Sequence, residues 1–313
     1  PYPDPRLGTL CVTTSSQALG CFFTLLILYD LLVLGLFTTD SNPGASFQAN
    51  KCVLLVVLLV ASSRAVFLLV DPYHQNEALP PAVVGYSFGI VFPALNTATC
   101  FLFLSLYELT ERIRRLDAAR DRSLLPNTKG AFISICFCEF GVQFFTDTMR
   151  LLGFPWPLLA ICQAFFVVWG IVVFVLFVVW AWRLTSAVKG IGKRPQLRFL
   201  IFSALCSAFF GLLLAVVSVF MLTSWHLSNR EMCAALSTSR IIEALQCTAL
   251  LTGCLIQFRA KQTRVETQRA TARATITAQQ AAARAKLKPQ STQQAVLESA
   301  ELDDGEEDPE RQK

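Results

Sequence analysis

The chain has 313 residues, of which 54% are hydrophobic and only 16% are charged, and its mean hydropathy is +0.50. No ordinary soluble domain of this length is so apolar, so the composition predicts an integral membrane protein. The net charge of +5 is modest, and we attribute it to loops and a tail that face anionic lipid headgroups, not to nucleic-acid binding.

Seven apolar stretches divide the chain, and each has about the 20 residues that a helix needs to cross a bilayer. Unpaired backbone groups are costly in lipid, so each stretch is predicted to be helical. The expected fold is an all-α membrane protein with a seven-transmembrane helix bundle over residues 16–258. The stretches are 16–37, 51–70, 81–107, 130–148, 156–182, 199–225 and 234–258.

Basic residues between the stretches predict the orientation of the bundle. Lys and Arg are concentrated in the third and fifth loops, and Lys51 lies where the first loop meets the second stretch, which marks these three loops as cytosolic. Residues 1–15 are then an extracytoplasmic or lumenal segment, expected to be the end of a longer one. The cytosolic loops carry Lys51, Arg112, Arg114, Arg115, Arg120, Arg122, Lys129, Arg183, Lys189, Lys193, Arg194 and Arg198, whereas the outer side carries Arg6, Arg150 and Arg230.

The cytosolic tail has two parts of opposite charge. Residues 259–288 are rich in Ala, Thr, Gln and Arg, which predicts a basic helix. Residues 289–313 are acidic and poor in apolar side chains, so we expect a disordered tail. The basic helix is expected either to be simply solvated or to dock on anionic lipid headgroups or a cytosolic partner, in competition with the acidic tail.

Ionisable and amide side chains inside the stretches are costly in hydrocarbon, so they are the candidate functional residues. Arg240 and Glu243 are three residues apart on one helix face and can pair, and Arg64 lies at a similar depth. The outer group either fixes helix packing or forms an outward-opening pocket for a charged or zwitterionic ligand. It comprises Arg64, Asp147, Gln163, Arg240 and Glu243, with Asp71 at the rim; the inner group comprises Asp30, Asn96, Glu139 and Gln143.

Nine of the eleven cysteines lie inside the stretches, where they are expected to pack as small apolar residues. Cys11 and Cys233 precede the first and last stretches on the outer side. A disulfide between them is one expectation for an oxidising compartment, and two unpaired thiols are the other. Cys136 and Cys138 point away from each other on a helix, so no metal site is predicted.

Enzyme classes that work inside membranes lack their key residues here. The two histidines, His74 and His226, fall in predicted outer loops, which argues against an intramembrane zinc hydrolase or Ser/His protease. The last stretch has no Lys for a retinal Schiff base, and no Gly-rich phosphate loop is found. Nothing in particular supports catalysis by Asp30 and Glu139 as a pair, so we expect neither an enzyme nor a cofactor.

Other membrane classes are harder to separate. Transporters usually show paired broken helices or repeated halves, whereas Pro93 is the only proline in the middle of a stretch. A scaffold that presents cytosolic loops needs no special residues. The end of the third stretch, from Tyr107 to Arg112, lacks the acid-Arg-aromatic triplet of rhodopsin-like receptors, so an ordinary receptor of that class is not expected.

Three segments resemble known proteins. Ser63 to Tyr73, SRAVFLLVDPY, resembles the proline-rich transmembrane proteins three and four of animals. Leu104 to Glu108 and Arg240 to Leu245 are similar to the wider seven-pass family of the plant tobamovirus-multiplication proteins and their animal relatives. The resemblance implies a receptor-like seven-helix bundle without established enzymatic activity, with roles in membrane scaffolding or in recruiting small GTPases and signalling complexes.

These observations lead to one functional hypothesis and one rival. The first is a receptor-like signalling or scaffolding protein of the plasma membrane or an endomembrane, such as that of a lysosome or vacuole, whose cytosolic face engages a G protein or small GTPase. Its rival is a transporter or channel that uses the intramembrane acids. The partner-binding residues expected under the first hypothesis are Arg112, Arg114, Arg115, Lys193 and Arg194.

Overall fold

A computed structural model describes residues 9–38, 45–70, 78–116, 128–153, 157–188, 195–223 and 229–303. These residues are helical and contain no strand. They form two compact units, residues 1–258 and 259–313. The helices are α1 Thr9–Thr38, α2 Ala45–Val70, α3 Pro81–Gly89, α4 Val91–Leu116, α5 Thr128–Leu151, α6 Pro157–Val188, α7 Pro195–Thr223 and α8 Asn229–Asp303.

Several of these helices have the length and the hydropathy that crossing a bilayer requires. Within the described ranges, five stretches meet both requirements, which makes the chain a multi-pass membrane protein. α5 and α6, of 24 and 32 residues, coincide with the predicted fourth and fifth stretches. The five are Thr14–Phe37, Ala49–Val70, Pro81–Glu108, Arg198–Phe220 and Cys233–Arg259.

The helices of the first unit differ in how much of their surface they bury. α1 buries one narrow stripe, which includes Phe23, Val33 and Phe37, and leaves leucines such as Leu32 exposed, as expected for a peripheral helix that faces lipid. α2 packs against both α1 and α4. The most apolar 18-residue window of Pro81–Glu108 has 83% of its residues buried, and α4 supplies most of the buried positions, so α4 lies in the interior of the bundle. α3 buries only Val84 and Gly89.

The third stretch, predicted as one helix over residues 81–107, is interrupted at Ile90. The reason is Pro93, which has no backbone N–H and so cannot bond to the carbonyl of Gly89. α3 therefore ends at Gly89, where the Ile90 N–H donates to the Tyr86 carbonyl over 2.9 Å. Pro93 falls in the first turn of α4, a position that tolerates proline.

The second unit contains the part of α8 from Arg259 to Asp303. Threonines on this segment, including Thr263, Thr267 and Thr271, donate their hydroxyls to the carbonyls four residues earlier. We expected disorder from residue 289, but the helix passes through Pro289 and continues to Asp303. A proline inside a helix removes one hydrogen bond and crowds the carbonyl four residues earlier, whereas the Ala, Gln, Leu and Glu residues that follow are good helix formers.

Candidate functional site

Three charged side chains meet between α2 and α8. Arg64 binds Glu243 with two hydrogen bonds, Nε to Oε2 over 2.7 Å and Nη2 to Oε1 over 2.9 Å. Arg240 Nη1 donates to the same Oε1 atom. All three residues are at most 3% exposed. This Arg64–Glu243–Arg240 triad is the contact that the spacing and depth of these residues predicted.

The triad also binds the C-terminal end of α3. Arg64 Nη2 donates to the Phe88 carbonyl over 3.3 Å, and the hydroxyl of Ser63 donates to the Ser87 carbonyl over 3.3 Å. The guanidinium carbons of Arg64 and Arg240 lie 5.2 and 4.6 Å from the centre of the Phe88 ring. The last carbonyls of a helix carry partial negative charge, so cations stabilise this end of α3.

α5 contacts the same end of α3 through polar groups. Gln143 Nε2 donates to Asp147 Oδ2 over 3.0 Å, and both side chains lie against Gly89. A Cβ atom at position 89 would be only 1.9 Å from Asp147 Oδ2, so glycine is required there for this arrangement. Farther out, the hydroxyls of Tyr86 and Thr148 are 2.9 Å apart. α3 is thus joined to α2 on one side and to α5 on another.

A second buried group of polar side chains, the polar belt, crosses the middle of the bundle. Asn96 and Trp169 lie beside the Glu139 carboxyl. By distance and angle, neither Glu139 oxygen has a hydrogen-bond partner among the described residues. The amide of Gln246 and the Asn96 Oδ1 atom both approach Gly211 of α7. The hydroxyls of Thr99 and Ser207 are 3.0 Å apart. The polar belt comprises Asn96, Thr99, Glu139, Trp169, Ser207 and Gln246, from α4, α5, α6, α7 and α8.

Neutral polar side chains make the contacts that the sequence did not predict. On the predicted cytosolic side, Asn50 Nδ2 and Ser105 Oγ both donate to Gln257 Oε1, over 2.5 and 2.8 Å. Ser203 donates to the backbone carbonyl of Ala249 over 2.5 Å. The signal that could have identified Gln246 is its spacing, because it follows Glu243 by three residues on one face of α8.

The predicted outer and inner groups are rearranged in part. Arg64, Arg240 and Glu243 form the triad, whereas Asp147 contacts α3 together with Gln143, which we had assigned to the inner group. Asn96 and Glu139 belong to the polar belt. Asp30 lies apart on α1, near the Cys247 and Cys254 thiols of α8. The ligand-pocket role of the outer group remains a prediction.

Some predicted residues lie outside what the structure describes. Asp71, Lys193 and Arg194 fall in gaps between the described ranges, and the side chains of Gln163, Arg112, Arg114 and Arg115 are likewise not described. Cys233 is buried, but Cys11 has no described side chain, so the disulfide between them remains a prediction. In the described part of the chain, no three His, Cys, Asp or Glu residues are arranged to hold a metal ion.

Comparison with known families agrees with this architecture. The family model described as the proline-rich transmembrane protein 3 domain matches residues 18–260, which is most of the chain. A search of curated proteins found no significant match. The matched region includes the triad, the polar belt and α3. The chain therefore belongs to the proline-rich transmembrane protein 3 domain family.

Proposed function

We propose that the chain is a seven-pass, receptor-like membrane protein that acts in signalling or as a membrane scaffold and recruits cytosolic partners. The observation that carries this proposal is that buried polar side chains bind helices to one another at three depths. A bundle held in this way suits a protein that keeps or transmits one conformation, whereas the polar groups of a channel line a path. The three pairs are Arg64 with Glu243, Thr99 with Ser207, and Asn50 with Gln257.

The proposed topology counts α3 and α4 as one span and adds α5 and α6 to the five stretches that meet the length and hydropathy requirements. The first and last of seven spans place the two termini on opposite sides. The excess of Lys and Arg in alternate loops supports an outer or lumenal N-terminus and a cytosolic tail.

The proposed partner surface is the cytosolic end of α4 with the loop between α6 and α7. Its basic residues suit an acidic surface on a heterotrimeric G protein or a small GTPase, and the tail suits anionic lipid headgroups. No catalytic step, cofactor or metal-dependent reaction is part of this proposal, and the membrane is the plasma membrane or an endomembrane. The basic residues are Arg112, Arg114, Arg115, Lys193 and Arg194.

Proximity labelling from the C-terminus of the full chain in cells tests this proposal. We expect GTPase components among the labelled proteins, and we expect their yield to fall when Arg112, Arg114 and Arg115 are all replaced by Glu. The matched control replaces Arg6 and Arg230, on the opposite side, by Glu and should leave labelling unchanged. Equal labelling by all three forms, or no GTPase component in any of them, would contradict the proposal.

A transporter or channel is the alternative, and one observation favours it. The third span is broken at Ile90, and Asp147 lies against the break, as polar groups do at the broken helices of transporters. Flux measured in reconstituted vesicles separates the two functions. A transporter should lose its flux when Glu139 or Asp30 is replaced by its amide, whereas in a scaffold the same replacements should alter only expression.

A further inference from the structure

The polar belt contains a carboxylate that its neighbours do not neutralise. Glu139 is fully buried, and the side chains that act on it are those of Cys136, Asn96 and Trp169. None of the three carries a positive charge. An isolated carboxylate in the low-dielectric interior of a membrane protein is strongly disfavoured, so the belt requires either a proton or a cation.

The hydrogen-bonding character of the neighbours favours a cation. Trp169 Nε1 and Asn96 Nδ2 can only donate, and neither has a hydrogen-bond partner among the described residues. A protonated Glu139 keeps one good acceptor, its carbonyl oxygen, for these two donors, and its own O–H needs an acceptor that neither Trp169 Nε1 nor Asn96 Nδ2 supplies. An ionised Glu139 can accept from both after small side-chain shifts, and its charge then needs compensation from outside the protein.

Two amide side chains of the belt, those of Asn96 and Gln246, carry oxygen atoms suitable for a cation. A Cβ atom on Gly211 would be 3.6 Å from Asn96 Oδ1 and 3.1 Å from Gln246 Nε2, so both amide groups converge where α7 has no side chain. Gln246 Oε1 has no hydrogen-bond partner within the described ranges. Carboxylate and amide oxygens are the ligands that hard cations prefer.

The hydroxyls of the belt contribute one further oxygen. Thr99 donates its hydroxyl to the Leu95 carbonyl over 2.8 Å, so it must act as the acceptor toward Ser207 and toward Gln246 Nε2. Both lone pairs of Thr99 Oγ1 are then used. Ser207 donates its hydroxyl hydrogen to Thr99, and the lone pairs of Ser207 Oγ stay available. This oxygen is therefore the hydroxyl ligand that the belt can offer to a cation.

We propose that the polar belt binds a small monovalent cation, with Na⁺ as the reference ion, between Glu139 and the amide oxygens of Asn96 and Gln246. A monovalent ion fits because the belt has a single carboxylate, whereas sites for divalent ions gather several. The three proposed ligands are nearly inaccessible to solvent, at 0% for Glu139, 1% for Gln246 and 8% for Asn96, which favours a small ion over a large organic cation. The proposal does not depend on which partner the cytosolic face recruits.

Thermal unfolding of the purified full chain in detergent provides the test. The melting temperature is compared in sodium chloride and in N-methylglucamine chloride at equal ionic strength. A bound ligand stabilises only the folded state, and we expect Na⁺ to raise the melting temperature by about 3 °C, with saturation. Glu139→Gln should abolish this difference. Asp30→Asn is the matched control, because it removes another fully buried carboxylate outside the belt, and it should retain the difference.

A second measurement keeps the test decisive if Glu139→Gln does not fold. Na⁺ titration of the unsubstituted chain should give a saturable change in tryptophan emission that is lost in Trp169→Phe. Equal melting temperatures in the two salts would overturn the proposal, as would an undiminished Na⁺ effect in Glu139→Gln. Stability that depends on pH but not on Na⁺ would also overturn it, because a proton would then compensate Glu139.

Discussion

Burying the Arg64–Glu243–Arg240 triad has an unfavourable desolvation free energy, and removing one of its members destabilises the fold still more. Removing charged groups from water costs several kcal/mol for each ion, and the bidentate contact of Arg64 with Glu243 offsets much of this. The carboxylate serves two guanidinium groups on two helices. Its loss therefore affects more than one helix contact at once.

Replacing Glu243 by Ala is expected to destabilise the fold by about 3–5 kcal/mol, because two buried guanidinium groups lose their shared carboxylate. A second substitution, Arg64→Leu, should recover part of this loss by removing one of the stranded cations. Folded yield and thermal unfolding in detergent measure both effects, with exposed Glu266→Ala as the control. Strict additivity of the two single losses would contradict the contact.

Gly89→Ala tests the contact between α3 and α5. The new Cβ atom would be 1.9 Å from Asp147 Oδ2 and 2.6 Å from Gln143 Nε2, so we expect a loss of about 1–3 kcal/mol in unfolding free energy. Gly141→Ala is the control, because nothing lies within 4 Å of its Cβ position. Similar melting temperatures for the two variants would contradict the expected loss, because the Asp147 and Gln143 side chains would then move aside at little cost.

At the scale of helices, the sequence predicted which charged residues pair, but it did not predict the contacts of the neutral polar residues. Charge in hydrocarbon must be paired, so depth and spacing were enough to predict that Arg64 meets Glu243. Two other contacts could not be predicted, because they depend on how the helices are arranged around one another. These are the hydrogen bonds of Thr99 with Ser207 and of Asn50 with Gln257. Hydropathy carries no information on that arrangement.

Two proline residues illustrate the limits of local rules. Pro93 interrupts the third span, as its missing N–H requires, although the apolar pattern is continuous through it. Pro289 was expected to end α8, yet the helix continues to Asp303. Good helix formers follow both prolines, so helix propensity alone does not distinguish the two cases.

The basic segment of α8 supports a prediction about lipids. Residues 259–288 contain eight basic residues and one acid, and each Lys or Arg near an anionic leaflet contributes about 1 kcal/mol. A peptide of this segment should bind vesicles that contain phosphatidylserine, with an affinity that falls steeply as salt is added. Attaching residues 290–313 should weaken binding at low salt. Equal affinity of the two peptides would contradict competition by the acidic end.

On the scale of the whole molecule, the length of each apolar stretch was the strongest signal, because the bilayer fixes how many residues a helix must have. It predicted an all-helical membrane protein, and the helices and the family match confirm this. Five stretches meet the length and hydropathy requirements within the described residues. The count of seven spans and the orientation are proposals that the partner surface and the basic tail both require.

Accessibility of tags at the two ends tests this topology most directly. Seven spans place the termini on opposite sides. On intact cells, added protease should digest a surface tag before Pro1 and leave a tag after Lys313 protected. On sealed organelles, whose cytosolic face is exposed, it should digest the tag after Lys313 and leave the lumenal tag before Pro1 protected. Detergent should expose both tags, as a control for protease activity. Finding both tags on the same side would contradict seven spans and, with them, the proposed cytosolic face.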